Sequence, residues 1–229
     1  MNEIVIMLLA TVGTCITYVL ATRIYNKIQF PLFIPIIVAP AIIIIFLMLS
    51  NISYETYMVG GGLISQLLGP AVVALAYPLY KQRKLLKQLA GPITVGTFIG
   101  ALIGISTGVL FTKWLNFNDE IIYSILAKSV TTPIAMEVST SLGGITSLAV
   151  VFVIIAGVSG AVLSRYIYKL FRITHFVGRG VGIGSGSHAI GTAKALENGQ
   201  TEGSVSTVAM ILSMVFVSVL APLLINYLL

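Results

Sequence analysis

Five apolar runs follow one another along this chain, at Ile4–Ala21, Pro31–Leu49, Leu89–Phe111, Ile145–Ile167 and Gly203–Leu228. A helix needs about 20 such residues to cross a hydrocarbon layer about 30 Å thick. Only 9% of the residues are charged and 57% are hydrophobic, whereas a soluble domain carries roughly 25% charged residues. Too few charges remain to clothe a water-exposed surface. At about 1.5 Å per helical residue, the chain's 229 residues allow about seven or eight membrane segments with their connections. The sequence therefore excludes a soluble enzyme, a nucleic-acid module and a disordered tail. It predicts an all-α polytopic membrane protein whose first partner is the lipid bilayer.

The net charge of +6 comes from cations in short clusters beside the apolar runs. Arg23 and Lys27 follow the first run, Lys81, Arg83, Lys84 and Lys87 precede the third, and Arg165, Lys169 and Arg172 close the fourth. Such clusters stay on the cytoplasmic side and orient the helices, which puts the N-terminus outside. Glu3 stands where a signal peptide would carry a basic segment, so no cleaved leader is expected. The single cysteine, Cys15, excludes an intrachain disulfide.

Three stretches between the runs read as irregular. Glu55–Tyr80 contains Gly60-Gly61-Gly62, Gly69-Pro70 and Pro78, so a straight helix is not expected there. Ile121–Gly144 contains Thr132-Pro133 and Gly143-Gly144, and Gly178–Gly199 carries glycine at 178, 180, 182, 184, 186 and 191. An offset of 117 residues lays hydropathy and glycine placement of 31–111 onto 148–228. The cation clusters then make the two copies run in opposite directions, an inverted repeat within a single 1–229 domain. This arrangement requires 121–144 to be a re-entrant hairpin that enters and leaves on one side.

Irregular backbone at membrane depth must be buried in protein or line a watery cavity. A half-helix that begins there offers backbone N–H groups and a positive dipole end, which suit a carboxylate. Gly69-Pro70, the Thr131-Thr132-Pro133 turn and Ser185-Gly186-Ser187 read as such starts. Lys128, followed by Ser129, is the cation most removed from an interface. Its readings are recognition of substrate charge or snorkelling towards the level of Asp119 and Glu120. Glu137 stands one turn beyond Pro133, placed to relay a proton, bind a cation or pair with Lys128. His188 begins the third half-helix, where it serves proton-coupled carriage of a weak acid or plain packing. His175, beside Arg172, reads as interfacial.

Gly96, Gly100, Gly104 and Gly108 share one helix face and predict close packing, either within the chain or between subunits of a homo-oligomer. Gly184-Ser185-Gly186-Ser187-His188-Ala189 lacks the βαβ setting of a dinucleotide site. No Walker A motif is present, and two distant histidines and one cysteine have no metal-ligand spacing. No nucleophile–base–orienter set is evident, so no enzyme activity, cofactor, metal or nucleic-acid partner is expected.

The stretches Leu68-Gly69-Pro70-Ala71-Val72-Val73-Ala74-Leu75-Ala76-Tyr77-Pro78-Leu79-Tyr80, Lys128-Ser129-Val130-Thr131-Thr132-Pro133-Ile134-Ala135 and Ser187-His188-Ala189-Ile190-Gly191-Thr192-Ala193 resemble the LrgB/CidB family, in the same order and across essentially the whole chain. The resemblance implies a protein of the bacterial cytoplasmic membrane. That family includes proteins described as antiholin-like and linked to murein hydrolase activity and autolysis. It also includes the related half of the plastid glycolate/glycerate translocator, and members that carry pyruvate with a small LrgA/CidA-type membrane partner. The expectation is a transport component for small monocarboxylates such as pyruvate, glycolate or glycerate. The alternative is a holin-like or antiholin-like protein that modulates murein hydrolase activity and lysis. The site expected on the first reading comprises Gly69, Pro70, Lys128, Ser129, Thr131, Thr132, Pro133, Glu137, Ser187 and His188.

Overall fold

The computed structural model describes residues 3–28, 33, 35–67, 70, 73, 74, 76–81 and 83–228. Among them there is no strand. Four helices are long and apolar enough to cross a membrane: Ile4–Ile28, Ala90–Trp114, Thr146–Leu170 and Gln200–Ile225. The shorter Ile37–Leu49 is also apolar. Two compact units divide the chain, Met1–Ala76 and Tyr77–Leu229.

The first unit holds α1 (Glu3–Ile28), α2 (Pro35–Leu49) and α3 (Tyr54–Gln66). The helix continues through Gly60-Gly61-Gly62, which corrects the expectation of irregular backbone there. Its cause is close helix packing. A Cβ on Gly60 would lie 2.5 Å from Met7 O and 2.7 Å from Ala10 Cβ of α1. Thr11 Oγ1 donates to Gly60 O at 3.1 Å, and Thr14 Oγ1 meets Tyr57 Oη at 2.9 Å. Missing side chains here serve backbone approach, the small-residue device of helix association in lipid.

The second unit opens with the short α4 (Ala76–Lys81), whose first residue closes the first unit, and α5 (Arg83–Gln88). The second unit then alternates long helices with broken ones. Its elements are α6 (Ala90–Trp114), α7 (Asp119–Ile125), α8 (Thr132–Leu142), α9 (Thr146–Leu170), α10 (Phe176–Asn198) and α11 (Gln200–Leu228). Polarity is inverted relative to a soluble protein. Val95, Ile99, Ile103 and Phe111 of α6 and Val215, Val219 and Leu223 of α11 are exposed, while Thr97, Ser204, Ser206, Thr207 and Ser213 are buried. Lipid is as apolar as leucine, so small and polar residues take the helix–helix faces.

The segment α7–α8 folds back on itself. After turns at 126–131 the chain returns, and Ile145 N–H donates to Ser124 Oγ at 2.7 Å. A Cβ on Gly144 would lie 2.9 Å from Ser124 N. Gly143, at φ 88, ends α8 in the left-handed region, where glycine carries no Cβ penalty. Leu126, Ala127, Val130, Ala135 and Val138 of this fold-back share a core with Ala101, Ile105, Val153, Val217 and Ala221.

The segment α10 folds back as well. Its backbone leaves helical geometry at Ser187 (φ −132, ψ 16) and His188 (φ 41, ψ −134). Arg179 Nε and Asn198 Nδ2 both reach Glu202, at 3.2 and 2.9 Å. A straight helix would hold two residues nineteen apart in sequence about 28 Å from each other. Gly191 lies against Ile183, its Cβ position 2.9 Å from Ile183 O, and Ser206 touches both Gly184 and Thr192. Gly180, Gly184 and Gly191 of this stretch are thus the points at which its two limbs and α11 meet.

Candidate functional site

The two fold-backs bring their tips to neighbouring levels of α6 and to one cavity. On α6, Gly100 faces Ser185 and Gly104 faces Ser129, the built Cβ positions lying 2.8 and 3.5 Å from those Oγ atoms. On α9, His188 Nε2 lies 2.9 Å from Val153 O and packs on Gly157. A carbonyl only accepts, so that ring nitrogen carries the proton. On α11, Thr192 Oγ1 donates to Met210 Sδ at 3.8 Å, and Thr131 Oγ1 donates to Met214 Sδ at 3.2 Å. All three levels fall near the middle of their long helix.

A cavity of about 560 Å³ runs from these tips along the face of α9. At its inner end stand Lys128 and Ser187, and at its outer end Tyr168, Ile173 and Gly178. Phe152, Ile155, Leu163 and Ile167 make its walls apolar, with Ser159 and Ser164 as hydroxyls. Lys128 Nζ donates to Gly104 O at 2.5 Å. A lysine at bilayer depth costs at least about 2.5 kcal/mol on insertion scales, and one carbonyl leaves its charge uncompensated.

Glycine makes room for both tips. A Cβ on Gly108 would lie 2.8 Å from Lys128 Nζ, and one on Gly160 would run into Ser187 Oγ and sit 2.8 Å from its Cβ. The stripe Gly96–Gly108 therefore packs inside the chain, against Val181, Ser185, Ser129 and Lys128. Of the two packings the sequence allowed for that face, within the chain or between subunits, the structure shows the first. It faces inward because Lys128 and the serines need a backbone this close.

The expected site residues are only partly gathered. Gly69 lies outside the described residues, and Pro70 is exposed in the first unit. Ser129 is buried and its Oγ has no hydrogen-bond partner. Thr131 occupies the cap position of α8 without a side-chain cap bond, with Thr132 and Pro133 in the first turn. Glu137 and Pro133 are exposed on one face of α8 and do not line the cavity. Ion pairs form at Arg179–Glu202 and Lys194–Glu197, and the suggested Lys128–Glu137 pair is not made. Lys128 is instead turned towards α6.

Sequence reasoning missed Glu202, buried at the start of α11. It accepts from Asn198, faces Arg179 and ties both limbs of α10 to α11. Tyr168 Oη donates to Arg179 O at 2.8 Å, which joins α9 to the same cluster. The Asn198-Gly199 pair, a turn signal before the last apolar run, was the available clue that Glu202 opens a new helix beside the end of α10.

Apolar helix exteriors, polar helix contacts and broken backbone around a deep cavity define a multi-pass helical membrane protein. The chain belongs to the LrgB-like family, whose model matches residues 14–227. It is 41% identical over 223 residues to the uncharacterized protein YxaC of Bacillus subtilis, covering 97% of each chain. It is 36% identical over 225 residues to the holin-like protein CidB of Staphylococcus aureus, covering 98% of each. The holin-like protein CidB of Staphylococcus epidermidis is 35% identical over 225 residues, again with 98% of each chain covered. No solved structure matches the chain significantly.

Proposed function

We propose that this protein is the transport component for a small monocarboxylate, with pyruvate, glycolate and glycerate as candidate substrates. One observation carries the reading: the Lys128 ammonium and Ser187, from the tips of two separate fold-backs, line a single apolar-walled cavity. The ammonium takes the carboxylate, the Ser187 hydroxyl orients it, and the apolar walls accept a short carbon skeleton, while Ser129 and Thr131 sit behind the lining and position the first tip against α6 and α11. His188 holds the tip of α10 in place through Val153 and is a positioning residue. Glu137 and Pro133 drop out of the binding set, since neither lines the cavity.

Both fold-backs are read as re-entrant hairpins, entering from opposite faces of the bilayer and meeting at its midplane. With these hairpins counted, the chain has about seven or eight membrane segments. Broken helices that meet at the midplane of inverted units are the usual setting for alternating access. The protein works in the bacterial cytoplasmic membrane as a homo-oligomer, together with an LrgA/CidA-type small membrane protein. It is a carrier and not an enzyme.

A second reading rests on the name of the staphylococcal relatives, holin-like protein CidB. On that reading the chain controls murein hydrolase activity and lysis by permeabilising the membrane or regulating a protein that does. One experiment separates the two. The purified chain, with and without an LrgA-type partner, is reconstituted in liposomes holding a trapped dye, and uptake of labelled pyruvate and glycolate is followed. Saturable uptake competed by unlabelled carboxylate, without dye loss, is the expected result. Dye release without saturation overturns the carrier reading.

A further inference from the structure

The second unit contains a correspondence that runs through backbone and burial at a shift of 56 positions, with the helix cap and the tip serine one and two positions off that register. Helices α6 and α9 are each 25 residues long, starting at 90 and 146. Every buried position of α9 has a buried counterpart on α6: Ala149, Val153, Gly157, Ala161 and Ser164 match Ile93, Thr97, Ala101, Ile105 and Gly108, while α6 also buries Val109 and Thr112. Both end in the same three hydrogen bonds. Leu115, Asn116 and Phe117 N–H donate to Phe111, Lys113 and Thr112 O, while Phe171, Arg172 and Ile173 N–H donate to Ile167, Lys169 and Tyr168 O. In each set the middle residue adopts left-handed backbone, Asn116 at φ 56 and Arg172 at φ 54. The next helix is then capped by a side chain, Asn118 for α7 and His175 for α10. Each fold-back closes at a glycine, Gly143 and Gly199. Each tip serine packs on a glycine of its long helix, Ser129 on Gly104 and Ser187 on Gly160.

We infer that residues 90–143 and 146–199 are two inverted copies of one unit, and that the seam between α6 and α7 is the second, closed half of the substrate path. This inference rests on the carrier reading and gives it a direction. A unit of one crossing plus one hairpin reverses sides, so its second copy is necessarily inverted. The register differs from the 117-residue pairing expected from hydropathy, because one long helix plus one hairpin is the repeating element.

The two halves are not in the same state. Between α9 and the first limb of α10 the cavity is open. Tyr168 and Ser164 line it, and Gly178 and Gly182 are exposed. Their counterparts between α6 and α7 are shut: Thr112 is 5% exposed, Ile122 2% and Leu126 0%. Where Ser164 faces the cavity, its counterpart Gly108 is covered by Lys128 and by Ile125, whose Cγ2 would be 3.5 Å from a Cβ there. A smaller cavity of about 330 Å³ lies on the outer face of α6 at Thr107, Leu110, Phe111 and Trp114, and no residue of α7 lines it. The open half ends beside Arg165, Lys169 and Arg172, the cytoplasmic side by the positive-inside rule. The structure is therefore the inward-open state. Exchanging the two copies' conformations opens Thr112, Ile122 and Leu126 to the outside and closes Gly182.

Cysteine accessibility tests this. Cys15 is the only cysteine, so Gly182→Cys, Leu126→Cys and Thr112→Cys are each made in a Cys15→Ser background. They are labelled with a membrane-impermeant maleimide in right-side-out and inverted vesicles, with and without pyruvate. Labelling of Gly182→Cys only from the cytoplasmic face and of Leu126→Cys and Thr112→Cys only from the outer face is expected. Pyruvate should change the two rates in opposite directions. If Leu126→Cys disturbs folding, the near-isosteric Thr112→Cys carries the result alone. Saturable pyruvate uptake with Thr112→Cys unlabelled from either face overturns the closed-path assignment and leaves the carrier reading intact. Reciprocal labelling without saturable carboxylate uptake supports the inverted unit and removes the carrier reading.

Discussion

Replacing Gly160 by alanine probes how the tip of α10 is held. The added Cβ would run into Ser187 Oγ and lie 2.8 Å from Ser187 Cβ, and Ser187 is itself buried. The tip cannot yield freely, because His188 is bound to Val153 O and packs on Gly157 of the same helix. One methyl forced into such a contact costs about 1–3 kcal/mol. At roughly 2–4 °C per kcal/mol for a chain of this size, the thermal midpoint should fall by about 2–12 °C. Gly186 is the control, since a Cβ there meets nothing within 4 Å. Gly186→Ala should leave the midpoint unchanged or raise it, as alanine favours helix by about 1 kcal/mol. Adding Ser187→Gly to Gly160→Ala removes the clashing atoms and should restore most of the lost stability. Uptake should stay low in that double variant, because a tip hydroxyl is gone. Thermal unfolding in detergent, followed by tryptophan fluorescence or aggregation, reads all four proteins. Equal midpoints for Gly160→Ala and the wild type, or no rescue by Ser187→Gly, would refute the packing argument.

Lys128→Met keeps the length of the side chain and removes its charge; it should abolish carboxylate uptake while membrane insertion, read by protease protection, stays normal. Glu202→Gln should weaken the hold on Arg179 and lower stability by about 1–3 kcal/mol, the usual range for hydrogen bonds to a charged group, measured as a lower thermal midpoint. Gly143→Ala meets only Tyr123 Cδ2 at 3.9 Å, so its cost should be that of left-handed backbone alone, about 1–2 kcal/mol, with uptake otherwise retained.

The long helices were legible because their absence of charge admits no other reading, and α6, α9 and α11 start and end within a few residues of the apolar runs. A break in 178–199 was legible too, although the alternate glycines 178–186 sustain a helix and the backbone leaves it only at Ser187 and His188. What followed the break was not. A half-helix start and a hairpin tip share one local signature, and only contacts such as Arg179 and Asn198 on a common carboxylate distinguish them. Gly60-Gly61-Gly62 misled for a related reason, because glycine that loosens a backbone and glycine that admits a neighbour look alike in sequence. The Gly96–Gly108 stripe announced close packing but could not name its partner, which turned out to be the chain's own Lys128 and serines. Lys128 itself stood out as a misplaced cation. Its bond to Gly104 O was invisible, since a backbone carbonyl leaves no trace in residue identity.

Helix α11 follows both fold-backs in the chain, yet it supplies Val217 and Ala221 to the core of the first and Glu202, Ser206 and Met210 to the second. Neither fold-back is long enough to be held in a bilayer as an independent span. A nascent chain that has not yet released residues 200–228 therefore has two apolar segments without their support, and assembly of this unit must wait for α11 to emerge. Loss of the final helix should be read by the cell's quality control as loss of the whole second unit, whereas α1–α3 can mature on contacts of their own.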